Sequence, residues 1–425
     1  MNDAEIANLR SLMEYEAGRT EPPIGFPRLP TVPGGRYTSD QFYQLEREHL
    51  WRRAWLLAGH LDEVPAPGSF RVWDLAGPPV LITHAQDGEI RAFHNVCRHR
   101  GAPVALDKSG NKSRLTCAYH GWSYNLDGEL VAIRNAEDFR DFDYAAHGLA
   151  GIRCERFGKL IFINFDEGAP ALLDWLGPIA AEWAEFQFDR CRLAARHVFD
   201  LECNWKIALE ANIEVYHIRT IHPKSVAPMM DDRRNVNTLY PNGHGRMVAP
   251  GRADSAVKAA VDLPRGGNII ETVGEIARTC TQSYNIFPNW VSPLNHRALA
   301  PLLMWPNGAG KCRLETWTLA PDWGDKPRPD MWTENDGERL NPVLLEDVEM
   351  GERIQESLSS PGFKGASLSY QEARIYHWHQ MADRLIGIEH IPEALRVEQV
   401  IGEEWIYPND PRRGAGLRTV QVAGA

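Results

Sequence analysis

The sequence predicts an α+β fold in which a small antiparallel β unit precedes a larger domain of helices and antiparallel strands. Between about residues 56 and 165 the chain consists of short alternating runs separated by turns, including Ser69–Leu75, Val80–His84 and Leu160–Phe165. Beyond residue 166 longer helical patterns alternate with half-buried strand patterns. The 425 residues exceed what one hydrophobic core usually organises, which favours two domains.

Helical patterns lie on both sides of the β unit. An amphipathic acidic helix is expected within the first 35 residues, before a Pro/Gly-rich connector over Glu21–Gly35. A second helix begins at the Ser39 and Asp40 cap and runs to Trp55. Further helices are expected over 171–186, 205–217 and 341–358, and strands over 193–203, 283–286, 299–305 and 312–319. This order indicates a β domain that is inserted into, or precedes, a larger α+β domain.

The composition excludes several classes of partner and location. The chain carries 46 Lys and Arg against 57 Asp and Glu, a net charge of −11 without any basic run. Nucleic acid and membrane surfaces are therefore not expected partners. No apolar run approaches ~18 residues, and residues 1–16 lack the apolar core of a secretory signal. Seven scattered cysteines do not suggest a disulfide framework, so the expected location is the reducing cytoplasm, with some thiols free to act as ligands.

Two short segments each supply one cysteine and one histidine. Cys97 and His99 are separated by one residue, Cys117 and His120 by two, and 17 residues lie between the two pairs. A Cys2His2 zinc site would accept these ligands, but a one-residue spacer is tight for two ligands on one metal. That difficulty disappears in a Rieske two-iron, two-sulfur cluster, where one iron takes both thiolates and the other both imidazoles. A glycine follows each pair, at 101 and 121, where backbone amides can approach the sulfides.

A second group of candidate ligands lies between Asn204 and Pro223. His217 and His222 are five residues apart, so on an ideal helix their side chains would diverge by about 140°. They converge only if the helix ends or distorts between them, and the proline after His222 favours such an end. A lone histidine here would be interpreted as a core or surface residue. Two histidines beside Glu214 instead fit iron(II), which is typically held by two His and one carboxylate.

The segments C-R-H-R-G-A from Cys97 and C-A-Y-H-G-W from Cys117 resemble the cluster signature of a known family. That family is the large subunit of Rieske non-haem iron oxygenases, also called aromatic-ring-hydroxylating oxygenases. The resemblance covers roughly residues 39–376, whereas the loop over 225–267 and the tail after residue 392 match nothing in it. It implies helices over 1–55 that pack on the catalytic domain, an all-β Rieske [2Fe-2S] domain over 56–165, and a catalytic mononuclear iron domain over 166–425. The implied fold of the catalytic domain is a helix-over-antiparallel-sheet, helix-grip and START-like fold.

The resemblance also implies two separate ligand sets. The cluster ligands would be Cys97, His99, Cys117 and His120, and the Fe(II) ligands would be His217, His222 and Asp347. Asp347 lies in L-L-E-D-V-E-M-G-E-R-I-Q, which resembles the helix that supplies the carboxylate in many relatives. Glu346 is the local competitor, about 100° round the helix. A solvated acidic helix face is the alternative interpretation of this segment.

Glu214, three residues before His217, matches a position at which the family carries an acidic residue. The resemblance implies that this residue joins His217 to His120 of a neighbouring protomer and so couples the two metal centres. Many relatives have Asp at this position, and many have Asn where this chain has Ala211. The bridging geometry and one polar contact near the iron are therefore expected to differ.

These features imply the terminal oxygenase of a multicomponent system, an oxidoreductase that depends on NAD(P)H through a partner reductase. Electrons from a ferredoxin and/or flavin reductase would reach the mononuclear iron through the cluster. O2 would then hydroxylate an aromatic or similarly apolar small molecule, by mono- or dioxygenation. The bridge across subunits implies a homotrimer, with or without a small β subunit.

Three other functions stay open at this point. Glu214 and the segment L-S-Y-Q-E-A-R-I-Y-H-W also resemble members that attack quaternary ammonium compounds as monooxygenases or demethylases. Such ligands bind in an aromatic cage, and the sequence shows no compact aromatic cluster. A Rieske electron carrier without oxygenase activity would need the first motif only. A ligand-binding protein would use a helix-over-sheet pocket without oxygen chemistry.

Overall fold

The computed structural model describes residues 1–252, 269–294, 296, 298–329 and 340–413. The chain folds into two compact units, one of Met1–Leu50 with Leu176–Ala425 and one of Trp51–Trp175. The loop expected over 225–267 and the tail after residue 392 lie partly outside the described residues. Among the described helices, none is long and apolar enough to cross a membrane.

Side chains cap the N-termini of two of the first helices. The elements are α1 (Asp3–Gly18), β1 (Val32–Pro33), α2 (Gly35–Thr38), α3 (Asp40–Leu45) and a π-helical turn over Glu46–Leu50. The Asn2 side chain accepts a hydrogen bond from the amide of Glu5, and Ser39 accepts one from the amide of Phe42. The apolar face of α1 packs against residues within the range 236–276. These segments therefore belong to the unit of Met1–Leu50 and Leu176–Ala425.

The unit of residues 51–175 contains two antiparallel sheets. Its elements are α4 (Trp51–Arg53), β2 (Leu56–His60), β3 (Ser69–Trp73), β4 (Val80–His84), β5 (Ile90–His94), β6 (Ser109–Asn111), β7 (Leu115–Thr116), β8 (Ser123–Tyr124), β9 (Leu130–Ala132), β10 (Gly151–Phe157) and β11 (Leu160–Asn164). The larger sheet has the strand order β2-β11-β10-β5-β4-β3-β6, and the smaller one β7-β8-β9. The strand predicted over Val80–His84 is present as predicted, and the other two runs end one or two residues early.

The other unit contains a seven-stranded antiparallel sheet covered by helices. Its strands are β12 (Cys191–Leu201), β13 (Val236–Leu239), β14 (Gly245–Pro250), β15 (Cys280–Ile286), β16 (Trp290–Leu294), β17 (Leu302–Pro306) and β18 (Cys312–Pro321), in the order β12-β18-β17-β16-β15-β14-β13, while β19 (Gly365–Ala366) pairs with β1. Its helices are α6 (Pro178–Glu182), α7 (Trp205–Ala211), α8 (Ile218–Ile221), α9 (Glu275–Thr279), α10 (Pro342–Leu358) and α11 (Ala373–Ile386). Because α7 packs on β17 and β18, and α10 packs on α7, segments far apart in the chain meet over the sheet. The predicted α+β class is confirmed.

The helix predicted over 171–186 and the strand predicted over 193–203 differ in detail from the observed elements. The single helix expected over 171–186 is interrupted, with one segment at Leu172–Leu176 (numbered α5) and the next at α6. Gly177 between them has φ 56°, and Pro178 has no amide hydrogen to continue the ladder. The strand expected over 193–203 is β12, whose register shifts between Leu193 and Ala195. This bulge interrupts the strict alternation of buried and exposed side chains.

Candidate metal centres

Two loops of the 51–175 unit share one backbone geometry. The Cys97 amide donates to the carbonyl of Ala102 at 2.7 Å, and the Gly101 amide donates to the carbonyl of Cys97 at 3.0 Å. The same two bonds recur around Cys117, at 2.8 Å and 3.0 Å. Gly101 and Gly121 have φ of 79° and 77°, a conformation that strongly favours glycine. Each loop thus needs its glycine for the turn that presents the ligands.

The four predicted cluster ligands lie together at the tips of these loops. Cys97 and Cys117 are buried, whereas the two histidines are partly exposed. The Nδ1 atoms of His99 and His120 lie 3.1 Å apart. Thiols on the inner side and imidazoles on the outer side form the donor set of a cluster with one all-thiolate and one all-imidazole iron. The residues present therefore fit a Rieske cluster.

Tyr124, which the sequence did not single out, contacts one of the thiols. Its hydroxyl lies 3.4 Å from the Sγ of Cys97 and accepts a hydrogen bond from the amide of Arg98 at 3.0 Å. Burial raises the pKa of Tyr124, so the phenol keeps its proton and can donate it to a thiolate. The residue is visible two positions after Trp122 in the second segment. Its contact with the first loop, however, is set by the tertiary fold.

The predicted mononuclear site lies where the helix predicted over 205–217 is interrupted. α7 ends at Ala211, and the single turn α8 follows, with His217 directly before it and His222 directly after it. The two imidazole ring centroids lie 5.1 Å apart. The interruption thus brings together two side chains that a continuous helix would separate.

Asp347 of α10 completes a group of three candidate ligands. Its Oδ1 lies 2.8 Å from the Nε2 of His222 and 3.5 Å from the Nε2 of His217. One possible ligand atom from each residue lies within 4.8 Å of the other two. Burial raises the pKa of Asp347, and the two histidines oppose this shift. Two imidazoles and a carboxylate that face one point form the donor set of non-haem iron(II), so these residues fit the metal.

Each of these imidazoles has a second carboxylate on its Nδ1 side. Glu214 contacts the Nδ1 of His217, and its other oxygen accepts a hydrogen bond from the His217 amide at 3.2 Å. The Oε2 of Glu346 lies 2.6 Å from the Nδ1 of His222. Partners of this kind fix which ring nitrogen faces the metal. In this structure Glu346 therefore contacts His222 from the side opposite Asp347, and it lies outside the group of three.

Carboxylates dominate the electrostatics of this centre. Burial alone would lower the pKa of His217, but the hydrogen bond and the charge of Glu214 raise it, helped by Asp347 and Glu372. Hydrogen bonds from His222 and Ser225 lower the pKa of Glu346. A divalent cation would compensate this surplus of negative charge, and its binding would release protons from the imidazoles.

His217 and Asp347 both line a cavity of about 360 Å3. Its apolar walls include Ile207, Ile221, Met350, Ile354, Phe363 and Ile375, and its other polar lining residues are Tyr37, Glu210, Glu214, Ser367 and Glu372. Among the described lining residues there is no Lys or Arg. Met350 and Ile354 are 40% and 41% exposed, so the cavity opens at the surface of this unit. The cavity that His217 and Asp347 line therefore combines mainly apolar walls with several acidic side chains.

Two family models match the chain in successive parts. Residues 54–143 match the Rieske [2Fe-2S] domain, and residues 188–388 match the ring hydroxylating alpha subunit (catalytic domain). The four predicted cluster ligands lie within the first match. The three predicted ligands of the mononuclear iron lie within the second.

Curated proteins with similar sequences have names of two kinds. The glycine betaine monooxygenase oxygenase subunit of Pseudomonas aeruginosa strain UCBPP-PA14 is 31% identical over 201 residues, which cover 47% of this chain and 47% of that protein. The chlorobenzene dioxygenase subunit alpha of Cupriavidus sp. strain PS12 is 33% identical over 246 residues, which cover 56% and 52%. This chain thus spans about half the length of the curated relatives it matches.

Solved structures share the fold. Naphthalene 1,2-dioxygenase from Rhodococcus sp., bound to indole, superposes with a TM-score of 0.69 at 20% identity, covering 91% of this chain and 98% of that chain. A quaternary ammonium Rieske monooxygenase in complex with L-carnitine superposes with a TM-score of 0.68 at 23% identity, covering 84% and 95%. These likenesses confirm the predicted fold, an all-β Rieske domain joined to a larger catalytic domain of helices and antiparallel strands.

The fold and the two donor sets define an iron protein with a redox cluster and a separate mononuclear centre. Because the Rieske domain and the catalytic domain match successive parts of the sequence, the chain belongs to the large subunits of Rieske oxygenases. Its cofactors are accordingly a Rieske [2Fe-2S] cluster and mononuclear iron. The zinc site considered from the sequence is set aside by the match to the Rieske domain.

Proposed function

We propose that this chain is the terminal oxygenase of a multicomponent system that hydroxylates a small organic molecule. The observation that carries the proposal is the convergence of His217, His222 and Asp347 in a chain that also contains a Rieske domain. When bound, the mononuclear iron supplies the activation of O2. In the proposal it is held by these three residues, while Cys97, His99, Cys117 and His120 hold the cluster. A pure electron carrier would have no use for the second donor set.

Electrons come, in this proposal, from NAD(P)H through a ferredoxin and/or a flavin reductase. Glu214 then couples His217 to His120 of a neighbouring protomer in a homotrimer, with or without a small β subunit. The partial exposure of both cluster histidines supports this route, because they remain accessible at the loop tips. The position of Glu214 in the lining of a cavity that opens at the surface of this unit supports it as well. The proposed location of this chain and its electron donors is the cytoplasm, in keeping with seven cysteines that form no disulfide.

The first candidate substrate is an aromatic or similarly apolar compound, because the large apolar residues of the cavity walls are isoleucine, leucine, methionine and phenylalanine. The second candidate is a quaternary ammonium compound. Glu214 and Glu372 line the same cavity without a lysine or arginine among the described lining residues, which favours a cation. Curated relatives include proteins named for each class.

Oxygen uptake by the iron-loaded protein with a reductase tests the function and separates the two substrate classes. The panel contains aromatic hydrocarbons, aromatic acids, phenols and betaines, and each product is identified by mass spectrometry. Coupled oxygen uptake with a hydroxylated or demethylated product is the expected result. Iron-replete protein that consumes no oxygen with any compound would contradict the proposal. Light scattering of the active form tests the trimer, and an active monomer would overturn the route across subunits.

A further inference from the structure

A largely buried glutamate of α7, Glu210, forms a hydrogen-bonded group with Tyr37 and His379 at the edge of the cavity. The Tyr37 hydroxyl lies 3.0 Å from both carboxyl oxygens of Glu210. The Nε2 of His379 lies 2.9 Å from Oε1 of Glu210 and 3.2 Å from the Tyr37 hydroxyl. His379 is fully buried and Tyr37 nearly so, while 15% of the Glu210 side chain is exposed. The group therefore has one opening, at Glu210, where Tyr37 and Glu210 line the cavity.

The charges around this group balance without Glu210. Two fully buried ion pairs lie beside it, Arg36 with Asp383 at 2.6 Å and Lys206 with Glu46 at 2.7 Å. Each cation already has a carboxylate, so an ionised Glu210 would leave the cluster with one uncompensated negative charge. On the cavity side the nearby titratable residue that acts on it is Glu372, which is also acidic.

The protonation states of Glu210 and His379 follow from this arrangement. Burial raises the pKa of Glu210 to about 8, although the hydrogen bond from Tyr37 and the charges of Lys206 and Arg36 oppose the shift. Burial lowers the pKa of His379 well below its usual value, so its imidazole is neutral. A neutral carboxylic acid is thus stored near neutral pH at the wall of the cavity that His217 and Asp347 also line.

We propose that Glu210 is the group that delivers a proton to the oxygen-reducing centre, with His379 and Tyr37 as the residues that position it. The inference rests on the proposed function, because reduction of O2 with insertion of oxygen into a substrate consumes protons as well as electrons. Monooxygenation takes up two protons and two electrons, with one oxygen atom leaving as water, and cis-dihydroxylation takes up the same number. The cluster supplies the electrons from the partner reductase or ferredoxin.

The proton transfer from Glu210 can be written as a balanced step. The O–H bond of Glu210 breaks, and its proton passes through the cavity to the oxygen atom that accepts the electron. The carboxylate that remains accepts hydrogen bonds from the Tyr37 hydroxyl and from the Nε2–H of His379 until a proton from solvent restores the acid. Glu214 lines the same cavity, so the residues proposed to pass the electron and the proton share one cavity.

Infrared difference spectra between about pH 6 and pH 10 test the stored proton without any turnover. A protonated-carboxyl band that titrates near pH 8 is expected in the wild type and should be missing in Glu210→Gln. Tyr37→Phe should move the midpoint of that band to higher pH, because the Tyr37 hydrogen bond lowers the pKa of Glu210. The matched control Glu356→Gln, at an exposed position of α10, should leave the band unchanged.

Single-turnover product formation with pre-reduced protein tests whether Glu210 delivers the proton. Glu210→Gln should slow it by about 100-fold, a typical effect of losing a positioned acid, and should enlarge the solvent deuterium isotope effect, because proton transfer then limits the rate. Glu210→Asp should restore part of the rate, and Glu356→Gln should behave as the wild type. Mononuclear iron content and the visible spectrum of the cluster should be the same in all variants, which shows that each variant is folded and loaded.

Two outcomes would overturn the inference. One is a wild-type infrared spectrum in which no titrating carboxyl band disappears in Glu210→Gln. The other is a Glu210→Gln protein with wild-type single-turnover rate and isotope effect. A wild-type protein that takes up no oxygen with any substrate would instead contradict the proposed function, and the infrared measurement would still decide whether Glu210 stores the proton.

Discussion

The carboxylate of Glu346 lies 2.6 Å from the Nδ1 of His222, on the side of the ring opposite Asp347. Ser225 donates a further hydrogen bond to the same carboxylate oxygen at 2.6 Å. Adjacent residues of α10 thus contact both nitrogens of one imidazole. This arrangement holds His222 with its Nε2 toward the shared point of the three candidate ligands.

Replacing Glu346 by Gln should therefore weaken iron binding at the mononuclear centre. Partners of metal-bound histidines typically change metal affinity by about 10- to 100-fold when they are removed. Iron release into a chelator, followed at constant cluster absorbance, measures the effect. Glu349→Gln provides the matched control, since Glu349 is an exposed carboxylate of the same helix. Equal iron retention in both variants would show that Glu346 has no part in holding His222.

The two donor sets should be separable by mutation. Asp347→Asn or His217→Ala should remove the mononuclear iron and all turnover while the visible spectrum of the cluster persists. Cys117→Ser should remove the two irons of the cluster, because a Rieske cluster needs all four of its protein ligands. Metal analysis and visible spectra on the same samples report both results. Loss of the cluster in His217→Ala would mean that the sites are misassigned.

The sequence predicted elements that have a clear local pattern better than elements that bury polar residues. The strand over Val80–His84 was readable because the Asp87-Gly88 turn and β-branched residues mark it. α11 (Ala373–Ile386) was not predicted, although it is 14 residues long. Its buried positions include His377, His379 and Asp383, so polar residues occur where an amphipathic pattern requires apolar ones. These residues are buried because partners from distant segments satisfy them, and a single sequence does not show such pairing.

The same distinction applies to the candidate sites. His217, His222 and Asp347 could be chosen from their motifs, since each motif lies within one short segment. The contact between Glu346 and His222 joins residues 124 positions apart, and the contact between Tyr37 and Glu210 joins residues 173 positions apart. Neither pair has a local spacing that periodicity could reveal. The partners that orient the ligands therefore became visible only in the fold.

The buried pair of Arg36 and Asp383 predicts an asymmetric response to mutation. Both side chains are fully buried, and the Asp383 carboxylate also accepts a hydrogen bond from the Val397 amide at 2.8 Å. Asp383→Ala leaves a buried guanidinium without its counter-charge and should lower the free energy of unfolding by about 3–5 kcal/mol. The double variant Arg36→Met, Asp383→Leu should cost less, because it removes both charges together. Urea unfolding measures this order, and a double variant that is less stable than Asp383→Ala would refute it.

His377 should make the larger unit less stable in acid. Its ring is buried in α11, where Nε2–H donates to the carbonyl of Tyr240 at 2.8 Å. Burial lowers the pKa of His377 to about 4, whereas the unfolded chain binds its proton with a pKa of about 6.5. The unfolded state thus holds more protons between these values, so stability is complete above about pH 6.5 and falls as the pH drops toward 4, by about 3 kcal/mol.

His377→Gln isolates this contribution, since the glutamine amide can still donate to Tyr240 but does not titrate. Urea unfolding between about pH 8 and pH 5 should show a shallower loss of stability in this variant than in the wild type. His390→Gln, at a partly exposed position just beyond α11, should keep the wild-type slope. If His377→Gln loses stability as steeply as the wild type, the buried imidazole is not the group whose protonation unfolds the protein in acid.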